Sequence, residues 1–357
     1  MKIIELEMNI EERWNSFLSS FEYAHPLNAY GWGRVRAIDG WNPSYLIAED
    51  DCGSVRGGML ILHKKIPLTG LSLLYSPKGP ICDPFDIDVV KSFTEYLKEL
   101  GSKGRYIFLR IDPNFHDDIY KNDKDPFEGL GYIHLEHRWS FWNSPRDVYR
   151  IDLTKTSTTD ELFNTLDRDA RRCVRKAEKE GVVIRVAKSV DELIDFYKIF
   201  SSFTVKKGFI CRQLEYQKSL WYNFVEKGNG RLFLAVYKEK IIGGLICISF
   251  GGKCLAMHMG TPPEYNKLQT YYAYVWESIL WAKESGFTWY SFRGVGTTPT
   301  QESFKKKFGP QVYSLVGYYD LPLRPLLYKI VIFFEFQALP RVWKYLMIVR
   351  KAVKIPR

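Results

Sequence analysis

The chain carries one local pattern twice, in the same order and at nearly the same spacing. Lys91–Pro113 reads as an amphipathic helix, a glycine and an apolar strand, and Tyr274–Val295 repeats that plan, with Gly104 and Gly286 lying 182 residues apart. Upstream, a strand and a short polar turn lead into Gly57-Gly58-Met59-Leu60-Ile61. A second strand and turn lead into Gly243-Gly244-Leu245-Ile246-Cys247, 186 residues further on. A period this long excludes a solenoid and implies a duplicated domain. The 357 residues are enough for two domains, each with its own core, and a cleft between tandem domains is the expected place for a ligand. In each half helices flank a meander of strands, which predicts a mixed α/β (α+β) fold, not a strict parallel alternation. The expected division is 1–150, 151–325 and a tail over 326–357.

The tail mixes Ile330, Phe333, Phe334, Trp343 and Leu346 with Lys329, Arg341, Lys344, Arg350, Lys351 and Lys354. That composition predicts a basic amphipathic element able to lie at a membrane surface, or a pair of helices packed on the domain. The hydrophobic share of 46% marks a globular chain. A formal charge of +10 favours a polyanionic partner: nucleic acid, acidic membrane or phosphorylated substrate. None of the six cysteines forms a CxxC pair, so free thiols in a reducing compartment are expected. His134 and His137 are the only close histidine pair and have no ligand pattern around them, so no metal is expected. The acidic start, Met1–Trp14, does not read as an export signal, and no apolar run reaches the roughly 20 residues that span a bilayer. The expected location is cytoplasmic.

Three features bear on chemistry. Arg168, Arg171, Arg172, Arg175, Lys176 and Lys179 follow helical spacing and form a cationic stripe along one face. Six like charges on one face are relieved by a polyanion or by neighbouring carboxylates, here Asp167, Asp169, Glu178 and Glu180. The segment Ser303-Phe304-Lys305-Lys306-Lys307-Phe308-Gly309 sets a lysine between aromatics, an arrangement that fixes a positive charge where an oxyanion develops. The third feature is an absence. The glycine-rich turn that gives backbone N–H groups to the pyrophosphate of coenzyme A in GNAT acetyltransferases is missing from both strand-to-helix junctions, Tyr75–Phe85 and Met259–Thr270. The nucleophile-elbow, P-loop and dinucleotide motifs are missing too.

In this order, several segments resemble the FemABX aminoacyltransferases. They are Arg171–Ala177, Gly208-Phe209 with Arg212 and Tyr216, Gly230–Ala235, Gly243-Gly244, Trp281-Ala282, Trp289-Tyr290, Phe304-Lys305 through Gly309, Tyr318–Leu321 and Pro325–Lys329. The likeness is strong in the second half; in the first it rests on Trp32, Arg36, Asp112 and Pro113. It implies two tandem GNAT-like domains and transfer of an amino acid from aminoacyl-tRNA to a peptidoglycan precursor, UDP- or lipid-linked, with no other cofactor. By position, Arg36 and Arg212 would hold the precursor's diphosphate and Tyr216 would support it. Lys305 with Phe304 would meet the aminoacyl end of the tRNA, and Asp112 is a candidate acid or base, or else a strand-end cap. Where the family often has lysine, this chain has Arg36, which keeps the charge and changes its geometry. No heptad-rich arm is present, so the chain resembles the compact members. On charge alone the Arg168–Lys179 stripe is the expected tRNA surface, and the tail suggests peripheral contact with the inner face of the membrane. Two other readings stand beside this one: an acyl-CoA-dependent N-acyltransferase acting on a cell-surface polymer, and a non-catalytic RNA- or membrane-binding protein.

Overall fold

A computed structural model describes residues 1–121, 125–135, 145–206, 211–296 and 298–338. His137, Gly208, Phe209 and the tail beyond residue 338 lie outside the described residues. Fifteen strands are present among the described residues. They are β1 Lys2–Glu5, β2 Asn42–Glu49, β3 Val55–Lys65, β4 Ser72–Lys78, β5 Ile81–Cys82, β6 Tyr106–Pro113, β7 Ile133–His134, β8 Asp147–Asp152, β9 Val183–Val186, β10 Gly230–Tyr237, β11 Lys240–Phe250, β12 Lys253–Gly260, β13 Trp289–Gly294, β14 Gln311–Ser314 and β15 Tyr319–Pro322. The helices are α1 Ile10–Ser19, α2 Tyr30–Ile38, α3 Ile87–Lys103, α4 Pro126–Gly129, α5 Thr159–Thr165, α6 Arg168–Lys179, α7 Val190–Lys206, α8 Leu214–Leu220, α9 Thr270–Glu284, α10 Pro299–Lys306 and α11 Pro325–Phe333.

The strands form two sheets with one plan. The first runs β1-β2-β3-β4-β6-β15-β7, with β5 on β3; the second, read from its far edge, runs β9-β10-β11-β12-β13-β8-β14. Each has one parallel pair, β4 with β6 and β12 with β13, bridged by α3 and α9 respectively. The bridging helices are the ones that the sequence repeats. Asp86 caps α3 by accepting from the Val89 N–H, and Val89, Val90, Phe93 and Leu97 put one buried stripe against the first core. The glycine pairs lie in the matching central strands β3 and β11. A Cβ at Gly58 would sit 2.3 Å from the Phe17 ring, so the glycine lets α1 press onto the sheet.

Two compact units result, but not the contiguous halves that the repeat suggests. One comprises Met1–Tyr23, Gly40–Arg146 and the chain from Leu315; the other comprises Ala24–Asp39 and Asp147–Ser314. Three segments change places. Helix α2 belongs to the second unit, where it packs on α8. Strand β8, which straddles the boundary expected at residue 150, pairs with β13 and β14 in the second sheet. The stretch 311–322, all expected in the second half, divides into β14 in the second sheet and β15 in the first. Each sheet thus takes its sixth strand from the chain that follows the other half.

The start of the tail also belongs to the first unit. Arg110 of β6, with no exposed surface, makes a two-pronged contact with Asp320 of β15 at 2.7 and 2.8 Å. Glu335, in the π-helical turn Phe334–Ala338, takes the remaining side of the guanidinium at 2.8 and 3.1 Å. Tyr328 of α11 sets its ring edge-on to Phe108 and donates to Asp320 at 3.1 Å. The opposite face of this helix leaves Leu326, Ile330, Phe333 and Phe334 exposed.

Removing one member of a buried ion pair strands the other, at a cost of about 3–5 kcal/mol. Arg110→Met is expected to lower the unfolding free energy of the full chain by that amount in urea titration. Glu335→Gln keeps a hydrogen-bonding group beside Arg110 and is expected to cost clearly less.

Candidate functional site

Three of the residues named from sequence meet in the second unit. Helix α2 carries Arg36 and Asp39 follows it. The segment leading into α8 carries Arg212, and α8 itself carries Tyr216. Asp39 stands between the two guanidiniums, 3.4 Å from Arg36 and 2.9 Å from Arg212. Arg212 also lies over the Tyr216 ring at 5.3 Å, and Arg36 over the Trp32 ring at 5.9 Å. The Arg212 carbonyl accepts from the Tyr197 hydroxyl at 3.1 Å, which ties this loop to α7. Both guanidiniums thus share the Asp39 carboxylate, which screens their mutual repulsion.

His258 of β12 completes the cluster and was not foreseen. It is 3.0 Å from the Gln217 side chain and sits beside the rings of Phe200 and Tyr216. Burial, then the charges of Arg293 and Arg212, push its pKa down to about 3, so it is neutral at physiological pH. Burial pushes the Tyr216 phenol up, while Arg36, Arg293 and Arg212 pull it the other way. Arg293, also unforeseen, thus acts on both groups.

Lys305 is presented by α10, which starts at Pro299 after a Thr298 cap. Its ammonium donates to the carbonyls of Phe292 at 3.2 Å and Gly294 at 2.5 Å. Phe304 packs on Tyr272, Tyr271 and Phe308, with ring centroids 5.1, 6.1 and 5.3 Å away. The three lysines divide by role: Lys305 turns inward, Lys306 pairs with Glu302 at 2.7 Å, and Lys307 with Asp169 at 3.4 Å. Burial first, and the Arg293 charge second, push the Lys305 pKa down to about 8.

Asp112 lies in the first unit, and every contact the structure gives it serves that unit's fold. Its carboxylate accepts from the Lys78 N–H at 2.8 Å and the Tyr75 hydroxyl at 3.1 Å, and meets the Lys78 ammonium at 3.0 Å. Lys78 has a left-handed backbone, φ 54°, which this anchoring holds in place. Of its two readings, acid/base group and strand-end cap, the contacts support the cap. His134 stacks on Tyr319 and bonds to the Val316 carbonyl, a structural setting.

The cationic stripe forms as its spacing predicts. In α6, Ala170 and Ala177 are buried, while Arg168, Arg172, Arg175, Lys176 and Lys179 are exposed on the opposite side. Three members have local contacts. Arg171 donates to the Asn164 and Leu166 carbonyls at the end of α5, Arg172 pairs with Asp169 at 3.0 Å, and Arg175 lies over the Phe163 ring at 5.3 Å.

The profile of the FemAB family matches residues 10–236 and 229–335. This chain belongs to the FemAB family. A relative from Weissella viridescens, UDP-N-acetylmuramoylpentapeptide-lysine N(6)-alanyltransferase, is 26% identical and covers 89% of this chain and 95% of its own. The lipid II:glycine glycyltransferase of Staphylococcus epidermidis is 22% identical, covering 91% and 94%. Its alignment runs over 398 positions against 357 residues here, so that relative carries insertions this chain lacks. Among solved structures, FemX superposes with a TM-score of 0.82 at 18% identity, covering 93% of this chain and all of its own. A tandem GNAT protein from the clavulanic acid pathway gives 0.55 at 10% identity, covering 91% and 99%. The fold is therefore that of two tandem GNAT-like domains, and the family's enzyme class is the amide-forming aminoacyltransferases.

Lys305 has its charge below about pH 8 and loses it above. A transfer step that uses this charge is expected to show an alkaline limb with an apparent pKa near 8. Lys305→Arg keeps the charge at all accessible pH, so its rate–pH profile should lack that limb. A limb unchanged in Lys305→Arg assigns it to another group.

Proposed function

We propose that this protein moves an aminoacyl group from aminoacyl-tRNA to an amine on the stem peptide of a muramyl peptide precursor. The observation that carries the reading is the meeting of Arg36, Arg212 and Tyr216 in one cluster within a FemAB chain. The named relatives act on UDP- and lipid-linked muramyl peptides, both of which contain a diphosphate. Two guanidiniums suit that group, with the diphosphate displacing Asp39 as their shared anion.

The ester of aminoacyl-tRNA is already activated, so the reaction needs no nucleotide hydrolysis. The neutral amine attacks the ester carbonyl, the new C–N bond forms and the C–O bond to the ribose breaks. The amine's proton goes to solvent or a base, and the ribose oxygen regains one. Holding both substrates together supplies much of the acceleration. Lys305 faces the negative charge that develops on the carbonyl oxygen, and two of its three N–H bonds fixed on carbonyls keep it oriented. The exposed cations of α6 are suited to the tRNA backbone.

The test is a transfer assay with charged tRNA and muramyl pentapeptide, read by mass. A gain of one aminoacyl residue is expected, dependent on tRNA, and about 100- to 1,000-fold slower in Lys305→Ala. Reversing Arg175 and Lys176 to Glu is expected to raise KM for tRNA and leave KM for the precursor unchanged. Acylation from acetyl-CoA with no transfer from tRNA would replace this reading with the coenzyme A one.

A membrane-located acceptor fits the first unit. No helix of the described residues is long and apolar enough to cross a membrane. Helix α11 and the turn after it nevertheless expose Leu326, Ile330, Phe333 and Phe334 on one face, and residues 339–357 carry six cations and no carboxylate. The protein is expected to sediment with phosphatidylglycerol vesicles and much less with phosphatidylcholine ones. Ile330→Ser with Phe333→Ser should weaken that retention several-fold; equal retention of the two forms removes this surface.

A further inference from the structure

Strand β13 leaves its ladder with β8 after Ser291 and rejoins it at Gly294. Ser291 pairs with Arg150, yet Gly294 pairs with Val148, so Phe292 and Arg293 together oppose Tyr149 alone. This is a β-bulge, a device that re-aims a side chain and recurs beside active sites. The left-handed position of such a bulge favours glycine. Here it is filled by Arg293, with φ 63°. An arginine held there is strained, and a strained residue persists where its surroundings over-determine it.

The surroundings are on hand. The Arg293 N–H donates to the Ser291 hydroxyl at 3.1 Å. The Lys305 ammonium bonds the carbonyls of Phe292 and Gly294, the residues on either side of Arg293. One side chain thus staples the bulge from both flanks. Arg293 is half-buried, and its strand runs parallel to β12, the strand of His258: Ser291 pairs with Leu255, and Arg293 and His258 lie two and three residues beyond that pair. The His258 ring in turn sits 5.9 Å from that of Tyr216, and the Arg293 charge acts on both groups.

We propose that Arg293 is a third guanidinium of the anion site formed by Arg36 and Arg212, and that Lys305 is its positioning residue, acting through the bulge. The ligand class is a diphosphate ester, UDP-linked or polyprenyl-linked. The inference rests on reading the Arg36–Arg212 cluster as a diphosphate site. It adds a second duty to Lys305, one that does not involve the aminoacyl ester.

The two duties separate by measuring binding alone. UDP and geranyl diphosphate each carry the diphosphate and neither carries an ester for Lys305 to act on. Their Kd would be measured by calorimetry on the full chain, with melting temperature as the check on folding. Arg293→Gly suits the left-handed backbone and removes the guanidinium; Arg293→Asn, uncharged and tolerant of that backbone, is the second variant. Both are expected to weaken binding about 10- to 100-fold, the size of one charge-assisted contact. Lys305→Met is expected to weaken the same binding about tenfold in the wild-type background and less than twofold beside Arg293→Gly, because the two act as one unit. The probe bound more tightly identifies the form of diphosphate that the site accepts.

Unchanged affinity in both Arg293 variants overturns the proposal, as does a wild-type protein that binds neither probe. A Lys305→Met effect of equal size in both backgrounds overturns the positioning role. Aminoacyl transfer with diphosphate affinity indifferent to Arg293 removes this inference and leaves the proposed function standing. Diphosphate binding that depends on Arg293 and Lys305, with no aminoacyl transfer, does the reverse.

Discussion

The exchange of the sixth strand between the two sheets is the constraint from which the remaining architecture follows. Without β15, the edge of β6 would present unpaired backbone groups, and the buried Arg110 in its middle would lose its two-pronged contact with Asp320. Asp320 supplies the partner strand and the counter-charge in one residue. Tyr328 and Glu335 then extend the same network into the helix that follows, so residues 315–338 are built into the first unit. The mirror case is β8, whose Arg150 stacks between the rings of Trp289, 4.6 Å away, and Tyr313, 3.9 Å away. Neither half of the repeat completes its own sheet.

A duplicated fold could carry two equal sites, and this chain has made its halves unequal. In the first unit, the end of the parallel strand β6 carries Asp112, which closes on Lys78. In the second, the matching parallel strand β13 ends in a bulge that holds Arg293 under strain, next to a lysine spent on backbone carbonyls. Polar groups that serve folding settle into closed pairs. The second unit instead sets two guanidiniums, Arg36 and Arg212, on one carboxylate, Asp39, an arrangement suited to a further anion.

What the sequence made legible was local. The glycine pairs, the repeated helix and strand, and the α6 stripe are periodic patterns over neighbouring residues, and each formed where its spacing indicated. The strand exchange was not legible. Tyr149–Leu153 reads as a strand whichever sheet accepts it, and its partners are more than a hundred residues away. Arg36 and Arg212 stood out through resemblance, and their sharing of Asp39 emerges only when α2 packs on α8. Arg293 gave no signal, because nothing in the residue type announces a left-handed backbone; a Phe-Arg-Gly at a strand end, with a lysine on the next helix, is the pattern that would have found it.

The electrostatics of the second unit also explain why binding and catalysis would be coupled there. Burial first, and the Arg293 charge second, depress the Lys305 pKa, and Arg293 acts on Tyr216 together with Arg36 and Arg212. A diphosphate bound to those guanidiniums adds negative charge on the Arg293 side and favours the protonated lysine. The precursor complex would then hold Lys305 more fully charged near pH 8 than the free protein does. On the proposed reading, the bound precursor would favour the charge state of Lys305 that the transfer step uses. The lysine would be a weaker cation in the empty site than with an acceptor amine in place to attack.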